Sequence, residues 1–319
     1  MPTITQLEYL VAVDRTRHFG RAAKECHVSQ PALSAQIQKL EEELGVIVFD
    51  RKKKPVLPTP EGERILELAR SVLREHAKLV HLSQAEGDEP TGEFKLGIIP
   101  TLAPYVLPLF VDGFAKSYPA VDLHIDELKT EEIILALRED RIDAGILATP
   151  LGEKGLRERT LFYEPFYAYC SVGHPLLKKK KLREDDLEPH GLWLLQDGHC
   201  LRNQVINFCS ANTQTQTYDN VHFESGNLET LRYLVHNGEG YTLLPHLMVI
   251  QLPKREREKV VRPFIRPVPT REVSLVFRRD LFKSRIQRAL FDCIRERVPE
   301  GLFDKESANL QVLDIETAA

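Results

Sequence analysis

The sequence predicts an α/β protein fronted by a winged helix-turn-helix, and three observations carry that prediction. Residues 1–58 hold short apolar stripes of helical period that end in a β-rich segment with a lysine run. Beyond residue 93, strand-like and helix-like segments alternate. Between the two regions, Gln84 to Glu93 carries Gly87, Asp88, Pro90 and Gly92 and reads as a hinge.

Taken from the N-terminus, Leu7, Leu10 and Val11 form a first apolar stripe. Phe19, Ala22, Ala23 and Cys26 form a second, with small residues suited to close helix packing. His27-Val28 interrupts them. Ser29 is a capping residue for a third helix, and Pro31 fits its first turn, where the missing N–H had no partner to lose. Leu33, Ile37, Leu40 and Leu44 continue that helix at i, i+4, i+7 and i+11. Two short helices joined by a tight turn match the helix-turn-helix pattern. The expected exposed face of the second carries Ser29, Gln30, Ser34, Gln36 and Gln38, uncharged hydrogen-bonding groups that suit the reading of base edges, and Pro31 is expected to lie at the DNA beside them.

Gly45 to Arg51 is β-rich and leads through Lys52-Lys53-Lys54 into Pro55-Val56-Leu57, the makings of a wing hairpin. Arg51, Lys52, Lys53 and Lys54 are the expected phosphate contacts. Thr59-Pro60-Glu61-Gly62 opens a long helix over residues 59–87, with Ile65, Leu68, Val72 and Leu79 at near-heptad spacing, the pattern of a dimerisation helix.

Further on, Phe94–Ile99 reads as a strand, 102–117 as a helix, Val121–Leu128 as a strand, 130–139 as a helix and Ile142–Ala148 as a strand. That order predicts a mainly parallel sheet. Binding sites in such folds lie at the carboxyl ends of strands, which brings forward Pro100-Thr101, Lys129-Thr130 and the segment after a further expected strand, Leu192-Trp193-Leu194-Leu195. Lys178 to Lys181, followed by Glu184, Asp185 and Asp186, reads as a solvated turn. Cys26 and Cys293, the latter on the apolar face of a helix over 284–297, read as core. Residues 301–319 are expected to be a frayed tail.

Composition narrows the function classes. The chain has 319 residues, 42% hydrophobic and 28% charged, enough for two or more domains with a substantial core. No apolar run reaches membrane-spanning length and no cationic and apolar leader pattern opens the sequence, so no membrane partner and a cytoplasmic location are expected. A formal charge of −4 excludes a wholly basic nucleic-acid-binding chain and leaves DNA affinity to a local patch. The five cysteines, Cys26, Cys170, Cys200, Cys209 and Cys293, fit neither a secreted disulfide framework nor a zinc site. Any disulfide is therefore conditional, and neither metal nor cofactor is expected.

The chemistry concentrates in Asp197-Gly198-His199-Cys200-Leu201-Arg202, with Phe208-Cys209 following. Leu201, Val205, Phe208 and Cys209 share one stripe of an expected helix over 200–212, begun by Asp197 and Gly198. Cys200 then sits in the first turn, where partial positive charge, His⁺ and Arg⁺ would favour its thiolate, while Cys209 lies on the apolar face. On an unbroken helix the two are about 13.5 Å apart along the axis and nearly half a turn out of phase. A disulfide needs Cα atoms within roughly 7 Å, so forming one would unwind the helix. The same cysteines fit a purely structural role as small buried side chains.

The dense set Phe19-x-x-Ala22-Ala23, Ser29-Gln30-Pro31-Ala32-Leu33-Ser34, Leu40-Glu41, Leu44-Gly45, Phe49-Asp50-Arg51 and Thr59-Pro60-Glu61-Gly62 over residues 1–87 resembles the LysR-type transcriptional regulators. Gly198 to Arg202 with Cys209 is similar to the peroxide-sensing branch of that family. The resemblance implies a regulatory domain over 88–300 built like a periplasmic solute-binding protein. Its subdomain I spans about 88–164 and 268–300, its subdomain II about 165–267, and the crossovers fall near 164 and 268. It further implies a DNA-binding regulator, not an enzyme, with Cys200 as the peroxidatic and Cys209 as the resolving thiol. Thr101, Thr130 and His199 would orient peroxide, Arg202 would stabilise the thiolate, and Arg271 would reach the pocket. The family pattern has Asp after that arginine; this chain has Asn203. Implied partners are palindromic promoter DNA, hydrogen peroxide, further copies of the chain as dimer and tetramer, RNA polymerase, and thiol reductants of glutaredoxin or thioredoxin type. Two alternatives stay open: a LysR-type regulator answering a small metabolite with structural thiols, and a thiol peroxidase fused to a DNA anchor.

Overall fold

The computed structural model describes residues 1–83, 89–188, 191–209, 217–218, 221–222, 226–278, 283–302 and 309–315. The chain divides into two compact units, Met1–Asp88 and Glu89–Ala319. Of the expected hinge, residues 84–88 lie outside the described residues, and Gly92 and Glu93 already belong to a strand.

The first unit runs α1 (Ile4–Thr16), α2 (Phe19–Glu25), α3 (Gln30–Leu44), β1 (Phe49–Asp50), β2 (Leu57–Pro58) and α4 (Pro60–Ser83). The helices start where the sequence supplies acceptors. The His18 ring receives the Gly20 and Arg21 amides ahead of α2, and the Ser29 hydroxyl receives the Ala32 amide ahead of α3. Gly45, at φ +66°, ends α3, which leaves Leu44, the last member of the expected stripe, exposed. Leu10, Val13, Ala22, Leu33, Ile37, Leu40, Phe49 and Leu66 make the core. The expected β-rich run shortens to the two residues of β1, paired antiparallel with β2 as Phe49↔Pro58 and Asp50↔Leu57.

A buried carboxylate fixes this wing to α3. Glu41 accepts the Val48 amide at 2.8 Å and the Phe49 amide at 3.2 Å, and pairs with Arg51 at 2.8 Å. Gly62 locks the other side: a Cβ there would lie 2.1 Å from the Val48 carbonyl oxygen, so only glycine lets α4 approach so closely. On α4, Leu68 and Val72 are exposed while Leu66 and Ala69 face the core, and the side chain of Leu79 lies outside the described residues.

The second unit continues with β3 (Gly92–Ile98), α5 (Ala103–Ser117), β4 (Val121–Glu127), α6 (Thr130–Arg138), β5 (Ala144–Thr149) and β6 (Leu156–Cys170). Next come α7 (Cys200–Cys209), β7 (Thr217–Tyr218), β8 (Val221–His222), α8 (Leu228–Asn237), β9 (Tyr241–Pro245), α9 (His246–Gln251) and α10 (Lys254–Val260). It closes with β10 (Val261–Pro263), β11 (Val268–Arg278), α11 (Ser284–Arg297) and β12 (Leu310–Val312). The main sheet has the order β10-β6-β11-β5-β3-β4, with β9 also on β6 and β12 on β11.

The expected mainly parallel sheet is corrected to a mixed one. β4, β3 and β5 run parallel, whereas β11 is antiparallel to β5 and β6, and β6 is antiparallel to β9 and β10. The reason is β6, a 15-residue strand that changes partners midway. Pro165 still faces Thr270 of β11, and Phe166 already faces Pro245 of β9.

Two further expectations are corrected. Leu192–Leu195 is not a strand: it meets β9 through one bridge, Leu192↔Tyr241, because the Trp193 and Thr242 side chains take over the bonding with Glu239 and Trp193 carbonyls. The tail is not frayed over 309–315. β12 pairs parallel with β11, and Leu313 is buried. Residues 303–308 and 316–319 lie outside the described residues. Among the described residues, no helix is long and apolar enough to cross a membrane.

The Glu41 clamp yields a stability prediction. Glu41→Leu strands the Val48 and Phe49 amides and frees Arg51, so the N-terminal unit should lose about 2–4 kcal/mol. Thermal unfolding of the variant should show a clearly lowered midpoint; an unchanged midpoint would remove Glu41 from the structural account.

Candidate functional site

In the second unit, the carboxyl ends of the parallel strands converge on the start of α7. Thr101 follows β3, Thr130 follows β4 as the first residue of α6, and Ala148 lies near the end of β5. Cys200 opens α7 among them and is buried, as is Cys209 at the other end of the same helix. Both are free thiols.

Burial pushes the Cys200 thiol up from its ordinary range, and four groups pull it back: the Arg271 charge, a hydrogen bond from the Thr130 hydroxyl, and the backbone of Leu201 and Ala148. Each of the four favours the thiolate, and the N-terminus of α7 adds partial positive charge from its unpaired amides. The Cys209 thiol has no such support. Burial, with Glu184 adding to it, pushes it up to about 12.

Arg271 is the cation of the site and is wholly buried. It stands directly opposite Glu164 in the β11–β6 register. Its Nε donates to the Glu164 carboxylate at 2.8 Å and its Nη2 approaches the same oxygen at 2.7 Å. The remaining donors reach the Thr101 hydroxyl at 3.1 Å and the Thr101 carbonyl at 3.3 Å. The second Glu164 oxygen accepts the Leu247 amide at the start of α9, at 2.7 Å. Every strong group of this pair has a partner, which a buried ion pair requires if it is not to destabilise the fold.

The two cations expected beside Cys200 are corrected. Arg202 turns its Nε to Asp197 at 2.6 Å and its Nη1 to the Leu195 carbonyl at 2.8 Å, which holds the loop before α7. His199 is buried, and burial together with the Lys129 charge holds its imidazole below the usual range, so it is neutral at neutral pH. Its Nε2 has no hydrogen-bond partner among the described residues. Gly198, at φ +86°, lets the loop pass close under the Lys129 side chain, whose Nζ reaches the Asp197 carbonyl at 3.4 Å. Thus Cys200, Thr130 and Arg271 come together, with Thr101 joined through Arg271.

On the first unit, Gln30, Pro31 and the Lys52-Lys53-Lys54 run are exposed. Ser29 caps α3. Three residues are placed differently from expectation. Gln36 and Gln38 lie about 100° to either side of buried Ile37, so they do not share a face; Gln36 accepts from Gln6 of α1 at 3.2 Å. Arg51 is held by Glu41, reaches the Ser34 hydroxyl at 3.1 Å and lies 5.1 Å over the Phe19 ring. It braces the wing against α2 and α3, whereas the lysines that follow it are exposed.

Sequence reasoning missed Glu164, and named Lys129 only as the neighbour of Thr130 at the end of an expected strand. The signal for Glu164 was its isolation: a lone carboxylate within Leu161-Phe162-Tyr163-Glu164-Pro165-Phe166 needs a partner if the run is buried.

The donor set makes reactivity depend on pH. Because burial raises Cys200, its thiolate fraction grows as pH rises, so alkylation of Cys200 should accelerate roughly tenfold per unit between pH 6 and 8. Thr130→Val removes one donor to the thiolate and should slow the reaction at pH 7 by roughly threefold to tenfold. A flat pH profile, or an unaffected variant, would contradict this account of the site.

Comparison with known proteins agrees in both units. The model of the bacterial regulatory helix-turn-helix protein, lysR family, matches residues 4–63, and that of the LysR substrate binding domain matches residues 87–299. Over 304 residues the chain is 39% identical to the DNA-binding transcriptional dual regulator OxyR of Escherichia coli, covering 95% of this chain and 97% of that one. A full-length cysteine-to-aspartate variant of OxyR from Pseudomonas aeruginosa matches with a TM-score of 0.77 at 36% identity, over 92% of this chain and 97% of that one. A hydrogen-peroxide-bound cysteine-to-serine variant of OxyR from Corynebacterium glutamicum matches with a TM-score of 0.57 at 29% identity, over 93% and 94% of the two chains. With the helix-turn-helix and the α/β unit both matched, the chain belongs to the LysR family of DNA-binding transcriptional regulators.

Proposed function

We propose that this LysR-family regulator senses hydrogen peroxide through Cys200 and Cys209 and alters transcription when the two are joined. One observation carries the reading. The cysteines occupy opposite ends of a single ten-residue helix, and only Cys200 is served by a cation and hydrogen-bond donors. The similarity to OxyR proteins of both sequence and fold supports it. So does the unpartnered Nε2 of buried His199, a polar atom suited to hold a small hydrogen-bonding ligand.

The chemistry balances with peroxide as the sole oxidant. The Cys200 thiolate attacks one peroxide oxygen, the O–O bond breaks, and the departing hydroxide takes up the thiol proton as water. This leaves a sulfenic acid on Cys200. The Cys209 thiol then attacks that sulfur, expels a second water and closes the disulfide. Two thiols are oxidised and one peroxide is reduced to two waters. Reduction by a thiol of glutaredoxin or thioredoxin type resets the site. Because Cys200 and Cys209 face opposite sides of α7, closure requires the helix to unwind and Phe208 to leave its edge-on contact with Phe264, 5.3 Å away. The chemical event is thereby converted into a change of shape.

Action on DNA follows from the first unit. Gln30 and Ser34 are assigned to base edges, Lys52, Lys53 and Lys54 to phosphate, and the exposed Leu68 and Val72 of α4 to pairing with a second copy. Two-fold pairing implies a palindromic promoter site, and pairing of dimers a tetramer, with RNA polymerase as the downstream partner. The peroxidase alternative is set aside because the family is one of regulators. The small-effector alternative differs from the peroxide reading in one testable respect, its indifference to Cys200.

A brief, near-stoichiometric peroxide pulse followed by peptide mapping should show loss of two hydrogens across the Cys200 and Cys209 peptides before any other cysteine reacts. Cys200→Ser should abolish the peroxide-dependent promoter response, and Cys209→Ser should trap the sulfenic acid; a normal response from Cys200→Ser would favour the small-effector alternative. Separately, replacing Lys52, Lys53 and Lys54 with Ala should weaken binding to all DNA sequences alike and flatten its salt dependence. An effect confined to one operator would overturn that assignment.

A further inference from the structure

One side of α7 is occupied by the chain's own C-terminal segment. Asn203 Nδ2 donates to the Ile315 carbonyl at 3.0 Å, Gln204 Nε2 to the Leu313 carbonyl at 3.0 Å, and Asn207 Nδ2 to the Asp314 carbonyl at 3.3 Å. Three successive carbonyls are thus held by three amide side chains of one helix. The segment is anchored at its other side by β12, which pairs with β11 as Val268↔Leu310, Pro269↔Gln311 and Thr270↔Val312. The Leu313 amide adds a bond to the Thr270 carbonyl at 2.9 Å, one residue before Arg271, and Leu313 itself is buried in the core. Gln204 is wholly buried in making its contact.

We propose that residues 309–315 form a latch that holds α7 in its helical, reduced arrangement, and that disulfide closure between Cys200 and Cys209 releases it. The inference rests on the peroxide reading above for its trigger. Its geometry rests on the helix: at 100° per residue, Asn203, Gln204 and Asn207 fall within an arc of roughly 100° centred near the direction of Cys200, while Cys209 points to the opposite side. Bringing Cys209 round to Cys200 therefore turns the intervening residues, and the amides lose their register with the three carbonyls. Reciprocity follows from linkage: whatever loosens the latch favours the oxidised form, and oxidation loosens the latch. The released segment would leave the β11 main chain at Val268–Thr270 uncovered, beside the strand position that carries Arg271.

The test uses the full-length chain and Asn203→Asp/Asn207→Asp, in which carboxylates replace two of the donors and repel the tail carbonyls without touching either cysteine. Disulfide content is measured by peptide mapping across a series of glutathione redox buffers, alongside hydrogen exchange of residues 309–315 before and after oxidation. The latch predicts a shift of the thiol–disulfide equilibrium toward disulfide on the order of tenfold in the variant. It also predicts lost protection of the Leu313 amide in the oxidised wild type. A second variant lacking residues 309–319 should shift the equilibrium in the same direction. If the disulfide forms equally in all three and the 309–315 amides stay protected, the latch is overturned and the peroxide switch stands. If no disulfide forms in any of them, the peroxide reading falls and takes the latch's trigger with it.

Discussion

The buried pair of Arg271 and Glu164 is the interaction on which the second unit depends. It crosses the two long strands that tie the sheet halves together, receives the start of α9 through the Leu247 amide, and holds the loop after β3 through Thr101. Neither charge would be tolerated there alone, because a lone buried ion has lost its hydration without compensation. The pair therefore constrains four elements at once. Its one outward consequence is electrostatic: a fixed positive charge beside a thiol that burial shifts toward the protonated form.

That opposition defines the candidate site. Burial makes Cys200 inert to most of its surroundings, while the Arg271 charge, the Thr130 hydroxyl and nearby backbone favour its anion. Cys209, also buried, has no group that favours its anion, and Glu184 adds to the effect of burial. Two thiols in one helix are differentiated by environment rather than by sequence context, and the helix that separates them also prevents their meeting. In the proposed switch, reaction at the first leads to bonding with the second only by breaking local structure, so the stability of α7 and of whatever holds it would enter directly into its redox behaviour. The tail along its amide face and Phe208 against Phe264 contribute to that stability from two sides.

A comparable division of labour governs the first unit. Members of what looks in the sequence like one basic stretch are placed differently. Arg51 is committed to Glu41, Ser34 and the Phe19 ring, and so fixes the angle of the wing, whereas the lysines that follow it are exposed. The planar guanidinium fits a buried carboxylate and an aromatic face together; a hydrated ammonium does not. Glu41, in turn, satisfies amides that the two-residue strand β1 cannot pair by itself.

The sequence alone determined the elements whose information is local. The three helices of the helix-turn-helix, α5, β4, α6 and α11 follow from apolar periodicity and caps within a few turns, and Cys200 and Cys209 are legible as a pair because one helix contains both. Tertiary structure decided everything that depends on partners distant in sequence. Arg271 and Glu164 lie 107 residues apart, so the charge beside Cys200 was not visible in the local motif; Asp197 and Arg202 share that motif, but only the folded loop shows that Arg202 turns toward Asp197. The neutrality of His199 is a matter of burial, the mixed sheet follows from β6 serving two halves, and the ordered tail exists because α7 and β11 offer it donors and a strand edge. Periodicity and capping act over a few residues, whereas desolvation and ion pairing act across space, and only the folded chain sets those distances.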